Sequence, residues 1–370
     1  MLPNPFEKPL PKLEDTDPLK NEEIVRSLLG EGGVHKYRKI LGDNRTEQRK
    51  SVDTSFEELK ALAAEAIAKK DSLSHEGFAL SFEKNIEKKY AAQIKSLQEI
   101  SFLETKDGKL GLTAIDNKFY EVPSAEAITK HFLSIPNIKQ KIDQGFTRLL
   151  IVPFGTSLDS LREKTKKVLL KHVMENKLLR EDGSELELDI RTPLFTVTGF
   201  DEIDTKHDLL YYPNSLSLGD NGGRTKNELL EEPDVVSPFP GFHILLFQED
   251  LQIPDTEQGK TKGGRQQLEA GQSPNNYLSI LQTNPLYTHE RGLTPEDWLT
   301  LLTTNLNQYN RVINDWRSGT DKCSFLIGSY LPKYRLVPSA DWGEGQAQAV
   351  IEMYGFFEKN EYRGVTTAVS

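Results

Sequence analysis

Cysteine is almost absent: the 370 residues contain one, Cys323. That count excludes an intrachain disulfide and a multi-cysteine metal site, and its place beside an apolar run predicts a small buried hydrophobe. Long apolar runs are missing as well. No stretch reaches the roughly 18 residues of a membrane span, and the N-terminus lacks the basic-then-apolar pattern of a secretory signal, so a cytoplasmic protein without a membrane span is expected. Positive charge is in deficit: 46 Lys and Arg against 56 Asp and Glu leave a net charge of −10. Phosphate binding needs a concentrated positive surface, so nucleic acid is not an expected partner. The basic strip Lys164, Lys166, Lys167 and Lys171 lies on one helical stretch without stacking aromatics and reads as a solvated face.

Catalytic signatures are also lacking. The seven histidines show no His-x-x-x-His or Glu-flanked metal spacing. No Gly-x-Ser-x-Gly nucleophile elbow is present. The run Gly259 to Arg265 has Pro254 where a phosphate-cradling loop requires its leading glycine, and a flexible surface connection is expected there. Asp201, Asp204, His207 and Asp208 read as a solvated acidic loop rather than a divalent-ion pocket. The residues therefore predict no enzyme, no catalytic residue, no metal and no cofactor.

What is present is an α+β pattern. Residues 1–20 are proline-rich and polar and read as a disordered arm. Residues 21–100 read as a helical region: Ser55 with Glu58 makes a capping box ahead of an alanine-rich helix, and Phe82 to Leu97 sets Ile86, Tyr90, Ile94 and Leu97 at helical spacing. Such helices suit packing on the next domain or on a second copy, as in a homo-oligomer. Within 101–370, Lys106-Asp107-Gly108-Lys109 and Asp116-Asn117 mark turns between strands. Helices are predicted over Ser124 to Leu133, Ile138 to Ile142 and Thr156 to Asn176. Phe146 to Val152 and Gly241 to Phe247 are the strongest strands, and two further strands are expected around Pro193. Thr294 caps a helix over Pro295 to Trp316 with Trp298, Leu302, Leu306, Tyr309 and Ile313 on its core face.

The last fifty residues carry the functional signal. Ser324 to Tyr330 reads as a strand, Pro332 and Pro338 bracket a turn, Asp341 to Gln348 reads as a loop anchored by Trp342, and Val350 to Phe357 concentrates aromatics before a closing strand, Gly364 to Val369. Aromatics interleaved with Gly, Ser, Asp and Gln suit a recognition surface; equally, Tyr354, Phe356 and Phe357 suit the core of a terminal hairpin.

The ordered set Leu326-x-Gly328-x-Tyr330, Val337-Pro338-x-Ala340-x-Trp342, Gln348-Ala349 and the closing Gly364-Val365 with Ala368-Val369 resembles the C-terminal region of diversity-generating retroelement variable proteins. Gln144 to Gly155 and Leu293 to Trp298 are similar to the same group in candidate-phyla bacteria. The resemblance implies a C-type lectin-like fold of the formylglycine-generating-enzyme type, with inserted loops, over 101–370. It also implies a non-enzymatic protein that binds an unidentified ligand, expected to be a protein, through hypervariable positions. Carried over, these are Ser339, Asp341, Gly343, Glu344, Gly345, Gln346, Val350, Glu352, Met353, Tyr354 and Phe356, with Trp342, Ala349, Gly364 and Val365 as scaffold. The single cysteine separates the chain from the oxidase of that fold, which uses a pair.

Two departures stand out. Thr366 and Ser370 occupy places where the family has basic residues. Adenine mutagenesis of Asn-type codons does not give the Glu, Gln and Met of Glu344, Gln346, Glu352 and Met353, which leaves a relative no longer diversified or one diversified from other codons. The alternative function is a structural or assembly protein that oligomerises through its N-terminal helices.

Overall fold

The computed structural model describes residues 77–370, apart from 207, 218, 220, 234–237, 316–321 and 344–346, together with Arg26, Glu31, Val34, His35 and Arg38. The polar arm and the Ser55-capped helix expected from sequence lie outside the described residues. The chain divides into two compact units, Met1–Ser81 and Phe82–Ser370. That division falls before the Ile100/Ser101 boundary expected from composition, because a helix over 77–99 turns Phe82, Ile86, Gln93 and Leu97 into buried positions. Their successive spacings of four, seven and four residues make one helical face. Phe82 meets Phe132 edge-on at 6.3 Å.

The second unit mixes helices and strands. Strands β1 (Glu104–Lys106), β2 (Lys109–Thr113) and β3 (Phe119–Glu121) form an antiparallel meander. Its first turn is the expected one, with Asp107 and Gly108 both at positive φ (51° and 77°), as a two-residue hairpin requires.

A four-stranded antiparallel sheet carries the main core. β4 (Phe146–Val152) pairs with β7 (His243–Gln248), which pairs with the C-terminal β16 (Thr367–Val369), which pairs with β10 (Glu290–Gly292). β4 and β7 were the two strongest strands in the sequence, and both are buried nearly end to end. The Leu158–Met174 helix, capped by Ser157, packs against the Pro295–Tyr309 helix. The latter starts as expected, with Thr294 and Asp297 in a reciprocal capping box and Pro295 in the first turn. It ends at Asn310 in the left-handed conformation, earlier than the predicted Trp316, which is outside the described residues. Tyr309, assigned to its core face, is 52% exposed, whereas every residue from Pro295 to Leu306 is buried.

The second sheet holds the C-terminal signal. Its order is β15 (Arg363–Gly364), β11 (Cys323–Phe325), β13 (Leu336–Gly343), β14 (Gln348–Gly355) and β5 (Leu194–Thr196). The outer pairs β15/β11 and β5/β14 are parallel, and the inner ones antiparallel. Between β15 and β16 the chain leaves this sheet for the first one. Only one of the two strands expected around Pro193 forms, since β5 begins at Leu194 and Glu185 makes no more than an isolated bridge to Leu179.

Four local expectations are corrected. Asp341 to Gln348 is not an indole-anchored loop: Asp341, Trp342 and Gly343 are strand, and Trp342 is buried in the sheet. Pro338 lies within β13 opposite Met353, where its carbonyl accepts from Leu326 N–H at 2.8 Å. The Gly259 to Arg265 run forms a hairpin of β8 (Thr261–Lys262) and β9 (Arg265–Gln266), turned by Gly263 and Gly264 at φ 55° and 78°. Arg265 is then buried and ion-paired to Glu290 at 2.7 Å, which fixes the connection against β10. The remaining pair, β6 (Leu210–Tyr211) with β12 (Ser329–Tyr330), splits the predicted Ser324 to Tyr330 strand at a turn through Ile327 and Gly328.

Candidate functional site

The β13–β14 register places Val337 opposite Tyr354, Ser339 opposite Glu352, Asp341 opposite Val350 and Gly343 opposite Gln348. Side chains two apart on a strand share a face. Ser339, Asp341, Gly343, Val350, Glu352 and Tyr354, all nominated from sequence, therefore lie on one face, and Ala340, Trp342, Ala349, Ile351 and Met353 lie on the other. The scaffold residues Trp342 and Ala349 are on that second face and are buried, at 1% and 0% exposure.

A guanidinium organises the first face. Arg363 Nη1 donates to Ser339 Oγ at 2.5 Å and to Asp341 Oδ2 at 3.3 Å. Nη2 donates to Glu352 Oε1 at 2.5 Å and to Tyr354 Oη at 2.7 Å, and the guanidinium carbon lies 3.9 Å from the Tyr354 ring centroid. Burial pushes the Asp341 carboxyl above its ordinary pKa, while Arg363 and a hydrogen bond involving the Cys323 thiol oppose that rise. For Arg363, burial works against its charge, and the surrounding groups, Asp341, Tyr354 and Glu352 among them, raise its pKa regardless. Cys323 is buried, as its apolar setting predicts.

Burial divides the nominated residues. Ser339, Asp341, Gly343 and Val350 are buried, so these four are not displayed. A Cβ on Gly343 would sit 2.6 Å from Val350 Cγ2, which accounts for the glycine by packing. Phe356 is also buried. It belongs to a cluster with Phe325, Tyr330, Val337 and Val365 and meets Tyr330 edge-on at 6.0 Å, so it is core and not a ligand contact. Glu352, Met353 and Tyr354 are partly exposed. Glu344, Gly345 and Gln346 lie outside the described residues. Around the sheet stand exposed large side chains that the sequence did not nominate: Phe195 on the edge strand β5, Phe357 just after β14 and Tyr362 just before β15. A cleft of ≈ 680 Å³ is lined by Asp189, Arg191, Phe195 and Ala347 among others.

Sequence reasoning also missed a buried ionic network under the first sheet. Lys226 Nζ contacts Asp204 Oδ2 at 2.6 Å, Glu296 Oε1 at 2.8 Å and the Thr156 carbonyl at 3.0 Å, and Tyr211 Oη donates to Glu296 at 2.6 Å. Burial disfavours the Lys226 charge, but Asp204 and Glu296 hold its pKa above the usual value. Beside it, His243 Nδ1 donates to Asp297 Oδ1 at 2.9 Å and Nε2 accepts from Tyr212 Oη at 2.6 Å, a tautomer assigned from these partners. Arg291 Nη1 donates to Asp297 Oδ2 at 2.7 Å. Burial lowers the His243 pKa to about 4 despite Asp297, and Arg291 and Lys226 add to the fall. The Asp297 carboxyl is held far below the usual range, because Arg291 and His243 outweigh the burial that would raise it.

The network ties β6, β7 and β10 to the start of the Pro295–Tyr309 helix. It also corrects the reading of Asp204 as part of a solvated acidic loop, since that carboxylate is buried, accepts from Leu158 N–H at 2.9 Å and is paired to Lys226. His207 of the same loop lies outside the described residues. Among the described residues no group of three or more His, Cys, Asp or Glu is placed to hold a metal ion, and no helix is long and apolar enough to cross a membrane. Comparison of the chain with protein-family models, curated proteins and solved structures gives no match.

Proposed function

We propose that this chain is a non-enzymatic ligand-binding protein of C-type lectin-like architecture, related to retroelement variable proteins, that presents the β13–β14 hairpin and its flanks to a protein ligand. One observation carries the reading: the register gathers six residues nominated from sequence on a single face around Arg363, with Glu352 and Tyr354 reaching its exposed margin. Independent loops would not produce that alternation. The closing of the C-terminal strand between two earlier strands and the two packed helices are consistent with the proposed architecture.

The recognition surface is smaller than the sequence implies. Its centre is occupied by the Arg363 cluster, which acts as a rigid base, and contact falls to Glu352, Tyr354, Phe195 and Phe357, since Met353 lies on the opposite face. Rigid aromatics offer contact area at low rotamer cost.

The test is site-specific photo-crosslinking in the source cells. A photoreactive residue at Phe195, 42% exposed and opposite Val350 on the same face, is expected to capture a discrete partner that one at Met174, 83% exposed at the C-terminal end of the Leu158–Met174 helix, does not. Identical capture from both positions would sink the assignment.

A further inference from the structure

The hairpin aside, the structure contains a cleft of ≈ 640 Å³ at the end of the Pro295–Tyr309 helix, a size ordinary for small-molecule sites. Arg148 opens on it. A bulge in β4 between Phe146 and Arg148 shifts the register, and bulges of this kind re-aim side chains beside sites. Arg148 is 8% exposed, with Nη2 donating to Asn305 Oδ1 at 2.8 Å and its guanidinium 5.3 Å from the Tyr309 ring. Its buried Nε has no hydrogen-bond partner.

The other buried Lys and Arg side chains among the described residues all have a carboxylate within ion-pair distance: Lys141, Lys226, Arg265, Arg291, Lys322 and Arg363. Arg148 has none. Leaving a guanidinium desolvated and unpaired is costly, and such a cost is tolerated where a ligand supplies the missing anion. Arg311, exposed and also without an ion pair, lines the same cleft. So do the carboxylates Glu181, Glu249 and Asp250. A multiply charged anion would meet repulsion from those three, of which Glu249 and Asp250 already contact Lys89 and Lys260, whereas a small molecule bearing both charges turns its positive end toward them. Tyr309, half exposed, offers a ring to an apolar side group.

We propose that this cleft binds a small zwitterion of the α-amino-acid class, its carboxylate on the Arg148 guanidinium and its ammonium toward the acidic rim. The site does not depend on the hairpin reading, and its test uses a different readout.

The full chain would be screened by ligand-detected NMR against the individual L-amino acids, with acetate and inorganic phosphate as comparators, and hits titrated by calorimetry. At least one amino acid is expected to bind more tightly than either comparator. Arg148→Met is expected to weaken it at least tenfold while leaving the melting temperature unchanged or higher, because the unpaired charge no longer has to be buried. A lowered melting temperature with affinity unchanged would overturn the proposal by making Arg148 a structural residue. Absence of binding by every amino acid, or phosphate or acetate binding as tightly as the best of them, would overturn it too. Should Arg148→Met fail to fold, the exposed Arg311→Met carries the comparison: a fall in affinity supports the site, and an unchanged affinity overturns it.

Discussion

At the residue scale, two buried titratable side chains set how the protein responds to change. Arg363 neutralises Asp341 in a site from which water is excluded. Removing one partner of a buried pair costs more than removing both. Arg363→Met is therefore expected to destabilise by about 3 kcal/mol, and adding Asp341→Asn to recover part of the loss; urea unfolding of the two single variants and the double variant measures the coupling. His243 behaves differently, because burial holds it neutral despite Asp297. Its folded pKa, about 4, lies below the ordinary 6.5, so the unfolded chain binds the proton first. Its contribution to stability is present above pH 6.5 and is lost as the pH falls toward 4, on the order of 3 kcal/mol over that window. His243→Gln is expected to remove most of this slope between pH 6.5 and 4, as read by denaturation midpoints at stepped pH. An unaltered slope would place the titration on another group.

At the element scale, the β13–β14 hairpin separates what was legible in the sequence from what was not. The capping residue Thr294 was legible because its chemistry is local, and β4 and β7 because a strand buried on both sides is continuously apolar. The turn at Asp107-Gly108 was legible for the same local reason. The strand through Asp341 to Gly343 was not. Glycine, proline and aspartate signal a loop in isolation, and here Arg363, twenty-two residues beyond Asp341, supplies the missing stabilisation. The network of Lys226, Glu296 and His243 was hidden for a related reason: its members are far apart in the chain, and acidic residues at a helix start already have a sufficient local explanation in the helix dipole. Which nominated residues are exposed depended on the same long-range packing. Phe356→Ala is expected to cost about 3–5 kcal/mol by opening the cluster around Phe325 and Tyr330. Met353→Ala, partly exposed, should stay within about 1 kcal/mol, well below the core substitution. Thermal unfolding of the pair distinguishes core from surface.

At the scale of the whole molecule, the position of the unit boundary decides which piece can stand alone. Composition put that boundary near Ile100, because hydrophobic periodicity changes from helical to alternating there. From Phe82 onward, the helix over 77–99 nevertheless belongs to the C-terminal unit. Phe82 covers Phe132, Asn307 Nδ2 donates to Ser96 Oγ at 3.0 Å and to Glu99 Oε2 at 2.9 Å, and Leu97 is fully buried. Burying Phe82, Ile86 and Leu97 contributes about 1.5–3 kcal/mol each. A chain starting at Gly77 is accordingly expected to unfold in one cooperative transition. A chain starting at Phe102 loses all three contributions and leaves Phe132 without its cover, which should lower the melting temperature by roughly 10 °C or more. Calorimetry on the two truncations measures the difference. Equal melting temperatures would mean that the helix packs without contributing stability, and would return the boundary to the place where the sequence pattern put it.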